Sequence, residues 1–161
     1  MKTKDIRRQV AVLLFFLATV TVNGLANALP INGVTTGELS DSFAILFVPA
    51  GYVFSIWGVI YLALGAYAVY QLLPAQREDS RLRRIGGWFL LSSVANSIWI
   101  IFWHYGFLAL SVAAMVPLLF SLIRIYLILD VNGHVVTAGE KWFVHRPFQI
   151  YLGWITVATI A

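Results

Sequence analysis

The sequence predicts an all-α membrane protein, folded as a bundle of five transmembrane helices. Of its 161 residues, 60% are hydrophobic and 11% are charged, against about 45–50% and 25% in soluble domains. Five apolar runs also come close to the roughly 20 residues that a helix needs to cross a bilayer. They occupy about residues 9–29, 48–73, 86–104, 107–129 and 143–161.

The first run has two interpretations. Residues 1–28 combine a basic head, an apolar middle and small residues at Ala26 and Ala28, which is also the outline of a cleaved signal peptide. The run is long for such a peptide, and Pro30 ends it as it would end a helix. The sequence therefore favours a retained transmembrane helix, with cleavage as the alternative.

The next three runs have clear ends. Pro74 closes the second, because proline cannot continue the hydrogen-bond ladder of a helix. A very short polar link near His104 separates the third run from the fourth. Asp130 and the turn at Asn132 and Gly133 close the fourth.

The fifth run is short. Pro147 suits its first turn, where a missing N–H costs little. From Pro147 to Ala161 there are 15 residues, or about 22 Å of helix, against a hydrocarbon core of about 30 Å. We therefore expect a single transmembrane domain over residues 1–161, its last helix truncated, as the N-terminal part of a longer protein.

The basic residues predict how the helices are oriented. All eleven Lys and Arg lie before the first run, between the second and third, near the exit of the fourth, or before the fifth. Each span takes the chain to the other side of the membrane, so every second connector lies on the same side. The basic residues all fall in one such set of connectors. The positive-inside rule makes that side cytoplasmic, with the N-terminus, and puts residues 30–47 outside. The net charge of +4 then reflects topology in a multi-pass inner-membrane protein and implies no nucleic-acid partner.

Composition also narrows the chemistry. The chain has no cysteine and three scattered histidines, so it offers neither a thiolate nucleophile nor a predicted metal site. No catalytic motif occurs, and every carboxylate falls outside the predicted spans. We predict no catalytic residues, no metal and no obligatory cofactor, and the sequence leaves enzymatic activity open.

Three polar residues stand out near or within the spans. Arg124 lies about one turn from the cytoplasmic end, where snorkelling to the interface is favoured over a role in a site. His104 ends the third span, where a structural role is favoured. Asn96 lies near the middle of that span, where an unpaired amide is costly. Asn96 could either form an interhelical hydrogen bond or present its amide to a cavity, and the sequence favours neither role.

Aromatic side chains share one face on each of three predicted helices. Trp57, Tyr61 and Trp99 lie too deep for an interfacial belt, and rings that face lipid gain little. Rings that face inward can line a flat apolar pocket. Ordinary packing around Gly58 and Gly65 explains the same pattern, and composition alone favours packing.

Three motifs lie in order on these helices: "VPAGYVFSIWGVIY", "NSIWIIFW" and "PFQIYLGWITVA", which begin at Val48, Asn96 and Pro147. Together they resemble the TspO/MBR family of tryptophan-rich sensory proteins and the mitochondrial translocator protein (peripheral-type benzodiazepine receptor). Ala50 and Tyr52 depart from the family pattern of a second proline and a tryptophan. The chain is most similar to the longer bacterial branch, which carries additional helices.

The resemblance implies a receptor or carrier for a hydrophobic planar ligand, porphyrin-, haem- or sterol-like, in a pocket between helices. A porphyrin-degrading membrane enzyme and a structural or regulatory subunit without ligand are the alternatives. The predicted ligand-binding residues are Tyr52, Phe54, Trp57, Tyr61, Asn96, Trp99, Tyr151 and Trp154.

The expected partners are a hydrophobic small molecule and the lipid bilayer. Ala109 and Ala113 form a small-xxx-small pair that is compatible with a homodimer. Such pairs are too common to establish one.

Overall fold

The computed structural model describes residues 2–29, 31–42, 51–129 and 136–160, and within these ranges all regular secondary structure is helical. The α-helices are α1 (Lys2–Ala28), α2 (Thr36–Asp41), α3 (Ile56–Tyr70), α4 (Ser80–His104), α5 (Leu108–Leu129), α6 (Ala138–Glu140) and α7 (Arg146–Ile160). Shorter turns are the 3-10 segments Ile31–Gly33, Gly51–Ser55 and Pro74–Gln76 and the π-helical segment Lys141–His145. The predicted all-α class is confirmed.

Within the described ranges, four helical segments are long and apolar enough to cross a membrane: Thr3–Ala28, Tyr52–Tyr70, Ser80–His104 and Leu108–Leu129. They correspond to the first four predicted spans. The α7 helix has 15 residues, too few by itself to cross a hydrocarbon core of about 30 Å. The structure therefore confirms a polytopic helical membrane bundle, and the fifth span stays a prediction.

The second span begins and ends differently from the prediction. Its predicted start at residue 48 lies outside the described residues, and the first described turn, Gly51–Ser55, is 3-10 rather than α-helical. The α-helix ends at Tyr70, before Pro74, which instead starts a 3-10 turn. Since proline disfavours helical geometry in the residue before it, the helix must end ahead of the proline.

Packing centres on the antiparallel pair α4 and α5, joined by the tight turn at Tyr105 and Gly106. Leu118, Leu122 and Ile125 of α5 have no exposed surface. Helix α7 lies against α5 and α3, while α1 lies against α4 and α3. Helix α1 is therefore an integral part of the bundle, and its retention rather than cleavage stays a prediction.

Ion pairs between charged side chains link α1, α4 and α6 at one end of the bundle. Arg83 contacts both carboxylate oxygens of Asp5 at 2.7 Å, and Arg81 reaches Glu140 at 2.6 Å. The N-terminus, the start of α4 and the approach to α7 therefore meet at the same end. These contacts agree with the inferred shared side of the basic segments, and the identity of that side stays a prediction.

Topology reporters can identify that side. A reporter inserted in residues 75–84 is expected to read cytoplasmic, and one in residues 31–46 external, because Lys and Arg are absent from the second loop. Cysteine labelling of intact cells and of inverted vesicles would measure both positions. The reverse result at either loop would contradict the orientation.

Two glycines on α3 differ in their surroundings. A Cβ at Gly65 would lie 3.1 Å from Cζ of Phe16 on α1, whereas a Cβ at Gly58 would meet no atom within 4 Å. Gly65 thus lets the two helices approach closely, and Gly58 does not serve this purpose in the structure.

We expect Gly65→Leu to lower the unfolding free energy by about 1–3 kcal/mol, the usual cost of overpacking. Gly58→Leu should leave it unchanged or raise it by up to about 1 kcal/mol, because glycine is a poor helix former. Unfolding in detergent measures both variants. Equal effects of the two substitutions would show that α1 and α3 do not depend on this contact.

Candidate ligand-binding site

Trp57 lies at the centre of an aromatic cluster that joins α3, α4 and α7. Its ring stacks on Tyr61 and Trp99, with centroids 5.5 and 5.7 Å away and interplanar angles of 23° and 29°. Tyr151 and Trp154 approach it edge-on, at 6.2 and 6.1 Å. These distances are within the favourable range for aromatic pairs.

Helical spacing explains why these rings meet. Trp57 and Tyr61 are one turn apart on α3, and Tyr151 and Trp154 are one turn apart on α7, so each pair projects from one face. Phe54, in the preceding 3-10 turn, contacts the Trp154 ring edge-on at 6.0 Å. The three aromatic faces inferred from the sequence therefore point toward one another.

Tyr52 is the predicted site residue that the structure does not bring to the cluster. It lies in the 3-10 turn Gly51–Ser55, and 81% of its surface is exposed. No ring contact joins it to the other site residues within the described part of the chain. Its phenol faces the surroundings of the bundle.

Asn96 binds across to α1. Nδ2 of Asn23 donates to its Oδ1 at 2.7 Å and also to the Thr19 carbonyl at 2.9 Å. Both asparagines are buried, and the Tyr151 side chain interacts with Asn96 from α7. Of the two interpretations of Asn96, the interhelical hydrogen bond is therefore present.

Two buried donors near the cluster are left over. Nε1 of Trp154 has no hydrogen-bond partner among the described residues, and Nδ2 of Asn96 makes no bond of normal length there, although the Tyr151 phenol lies near it. Buried donors in proteins are nearly always paired, so each unpaired one calls for an explanation. A bound oxygen or nitrogen acceptor would satisfy them.

A cavity of about 100 Å³ adjoins the cluster. Its lining comes from α1, the α2 segment, α3 and α4: Asn23, Asn27, Thr36, Gly37, Phe54, Trp57, Tyr61 and Ile100. Phe54, Trp57 and Tyr61 were predicted as site residues. Trp99, Tyr151 and Trp154 contact the Trp57 ring from behind this cavity.

The sequence interpretation missed the polar lining. Thr19, Asn23 and Asn27 recur every four residues on α1, a polar stripe within an apolar run that periodicity could have revealed. Thr36 gave no comparable signal. It reaches the cavity because the chain folds back over the end of the bundle after α1.

Hydrogen bonds hold α2 beside the end of α4. Oγ1 of Thr36 lies 3.0 Å from Nε2 of the buried His104, and Nε1 of Trp103 donates to the Thr36 carbonyl at 3.4 Å. Asn32 also donates to the His104 carbonyl at 3.3 Å. His104 therefore has a structural position next to the cavity.

Helix α2 begins with a capping box formed by Thr35 and Glu38. The Thr35 backbone N–H and hydroxyl donate to Glu38 Oε2 at 2.8 and 2.9 Å, and Glu38 N–H donates back to Thr35 Oγ1. The backbone bond, then the side-chain bond, lowers the pKa of Glu38. This stabilisation of α2 is thus present at neutral pH and is lost as pH falls through that lowered pKa.

No group of three or more His, Asp or Glu side chains able to hold a metal occurs in the described ranges.

The size of the cavity limits which ligands it can hold. Most ligand pockets measure about 300–1,000 Å³, and the present cavity is smaller. The cavity must therefore widen before it can admit a planar macrocycle.

Comparison with known proteins identifies the family. The profile of the family described as TSPO-like protein matches residues 9–161. No characterised protein and no solved structure gave a significant match. The family match covers nearly the whole sequence, including the four long apolar helices and the three aromatic faces. The chain therefore belongs to the TSPO-like protein family and is a multi-pass membrane protein of the TspO type.

Proposed function

We propose that the protein is an integral membrane receptor or carrier for a hydrophobic planar ligand of porphyrin, tetrapyrrole or sterol type. The observation that carries this proposal is the cluster around Trp57, where rings from three helices adjoin a cavity. Packing alone would need neither a cavity on one side of this indole nor unpaired donors close to it. A flat ligand entering the cavity would gain a stacking surface.

The donors favour a ligand with acceptor groups. Asn96 Nδ2 and Trp154 Nε1 are buried and unpaired among the described residues. Neither residue lines the cavity, so a carbonyl, carboxylate or pyrrole-type nitrogen of a ligand would bond to them once the cavity widens toward them. Asn23 and Asn27 add amide groups to the lining. Such a site combines apolar faces with a few polar groups, as small-molecule pockets usually do.

Entry of a macrocycle requires displacement of the α2 segment. Thr36 and Gly37 line the cavity, and α2 has only six residues. Its contacts with the end of α4 include hydrogen bonds to His104 and Trp103. Moving this short helix costs less than separating the packed spans, so it is the element through which the cavity can enlarge.

Protoporphyrin IX titration of the purified protein, monitored by tryptophan fluorescence, tests the proposal. Saturable quenching with a stoichiometry of one is expected. An excess of a non-fluorescent planar competitor should reverse it. Linear, unsaturated quenching that matches free tryptophan in the same detergent would reject a specific pocket.

The stacked indoles favour one alternative, a porphyrin-degrading enzyme. Trp99 stacks on both Trp57 and Trp103, with centroids 5.7 and 6.3 Å apart, an arrangement that could pass electrons to an excited ligand. Light-dependent loss of porphyrin absorbance, abolished in Trp99→Phe, would support this activity. Porphyrin absorbance that is stable under illumination would contradict the enzymatic activity and leave ligand binding as the proposed function.

A further inference from the structure

We propose that the outer surface of α4 and α5 carries a binding site for an anionic phospholipid, with the phosphodiester held between Arg84 and Arg124 over the indole of Trp88. This site is separate from the cavity and does not depend on the function proposed for it. Its elements are two arginines without an acidic partner among the described residues, an aromatic platform and an exposed apolar surface.

The platform is built from both helices. The guanidinium carbon of Arg124 lies 5.6 Å from the Trp88 ring centroid. Phe120, one turn before Arg124 on α5, packs edge-on against the same indole at 5.6 Å and 76°. Trp88 therefore contacts both an aromatic ring and a cation of α5.

Arg124 has no acidic partner in the described part of the chain, and it is exposed. The surface around it is apolar: Leu91, Phe120, Ile123 and Leu127 are 41%, 52%, 39% and 59% exposed. In a membrane this surface faces lipid, where an uncompensated cation is costly. Arg124 lies five residues before Leu129, about 7.5 Å of helix, within reach of headgroup phosphates.

Arg84 supplies the second cation. It is exposed and precedes Trp88 by one turn of α4, so the two share a face. The neighbouring Arg81 and Arg83 already pair with Glu140 and Asp5. No carboxylate in residues 2–29, 31–42, 51–129 or 136–160 pairs with Arg84, so its exposed guanidinium can bind an external anion.

The chemistry favours a phospholipid over a soluble anion. A guanidinium matches the geometry of phosphate oxygens and can bind two of them. The apolar side chains around Arg124 extend from there along the lipid-facing surface, where an acyl chain can lie. A free phosphate would bind the arginines but would make no contact with the apolar surface around Arg124.

Native mass spectrometry of the full chain tests the site directly. We expect phosphatidylglycerol to remain bound in preference to phosphatidylcholine of identical acyl chains. Arg84→Gln and Arg124→Gln should each lower bound phosphatidylglycerol about fivefold, the effect of removing one interfacial cation.

Arg146→Gln is the matched control. Arg146 is also exposed near the same end and lies 5.9 Å from the Trp142 ring, but it already donates to Gln149. The control should retain wild-type lipid binding.

Four results would overturn the proposal. They are equal retention of the two lipids by the wild type, unchanged binding in the Arg84→Gln/Arg124→Gln double variant, an equal loss in Arg146→Gln, and displacement of the lipid by soluble glycerol phosphate. Circular dichroism checks that each variant is folded. The comparison of phosphatidylglycerol with phosphatidylcholine on the wild-type protein tests the lipid preference even if a variant misfolds.

Discussion

Replacing Trp57 with leucine is expected to weaken protoporphyrin binding about ten- to fiftyfold. Leucine keeps part of the apolar volume but removes the flat ring and the indole N–H. Stacking contributes roughly 0.5–1.5 kcal/mol beyond area burial, and a hydrogen bond about 1 kcal/mol. Together these account for the expected loss at about 1.4 kcal/mol per tenfold. Fluorescence titration of the variant measures it.

The structure adds a necessary control on stability. Trp57 contacts four other rings, so its loss also weakens packing between helices, and thermal unfolding must be followed in parallel. Trp88→Leu is the matched substitution, because Trp88 lies on the outer face of α4 and is no part of the cavity lining. Normal binding in Trp57→Leu, or a loss explained fully by unfolding, would assign the cluster to packing.

Asn96→Leu is expected to lower the unfolding free energy by about 1–3 kcal/mol, because it leaves the buried Nδ2 of Asn23 with one partner fewer. The 2.7 Å bond between the two amides is the shorter of two buried polar links between the middle parts of α1 and α4; the other joins Thr19 to the Ser93 carbonyl at 3.5 Å. Thermal or denaturant unfolding in micelles would measure the loss.

A double-mutant cycle separates the bond from local packing. Replacing both partners by apolar groups of similar shape can be nearly neutral, so Asn23→Leu/Asn96→Leu should be more stable than the sum of the single changes implies. Strict additivity would show that the hydrogen bond does not couple the helices. Ser97→Leu, whose hydroxyl bonds only within its own helix, is the comparison variant.

Features governed by local periodicity could be predicted from the sequence. A bilayer demands long apolar helices, and spacing along each helix decides which side chains share a face. That reasoning brought Trp57, Trp99 and Trp154 to one place. It works here because the rings on each span occupy a single stripe, so only one rotation of the helix buries them.

Features that depend on chain irregularity or distant contacts could not be predicted. Tyr52 was predicted as a site residue because its motif resembles the family pattern, but it lies in a 3-10 turn and its side chain is exposed. Thr36 reaches the cavity through its bond to His104, 68 positions along the chain. No periodic pattern carries information about such a contact.

The row of stacked rings also bears on the tryptophan fluorescence of the protein. Tyr61, Trp57, Trp99 and Trp103 follow one another with centroid separations of 5.5, 5.7 and 6.3 Å. Dipole coupling between chromophores falls steeply with distance, so at these short separations we expect excitation of one indole to pass to its neighbours before emission. A single acceptor seated beside Trp57 would therefore extinguish the emission of the whole row, and the number of residues quenched would exceed the number of molecules bound.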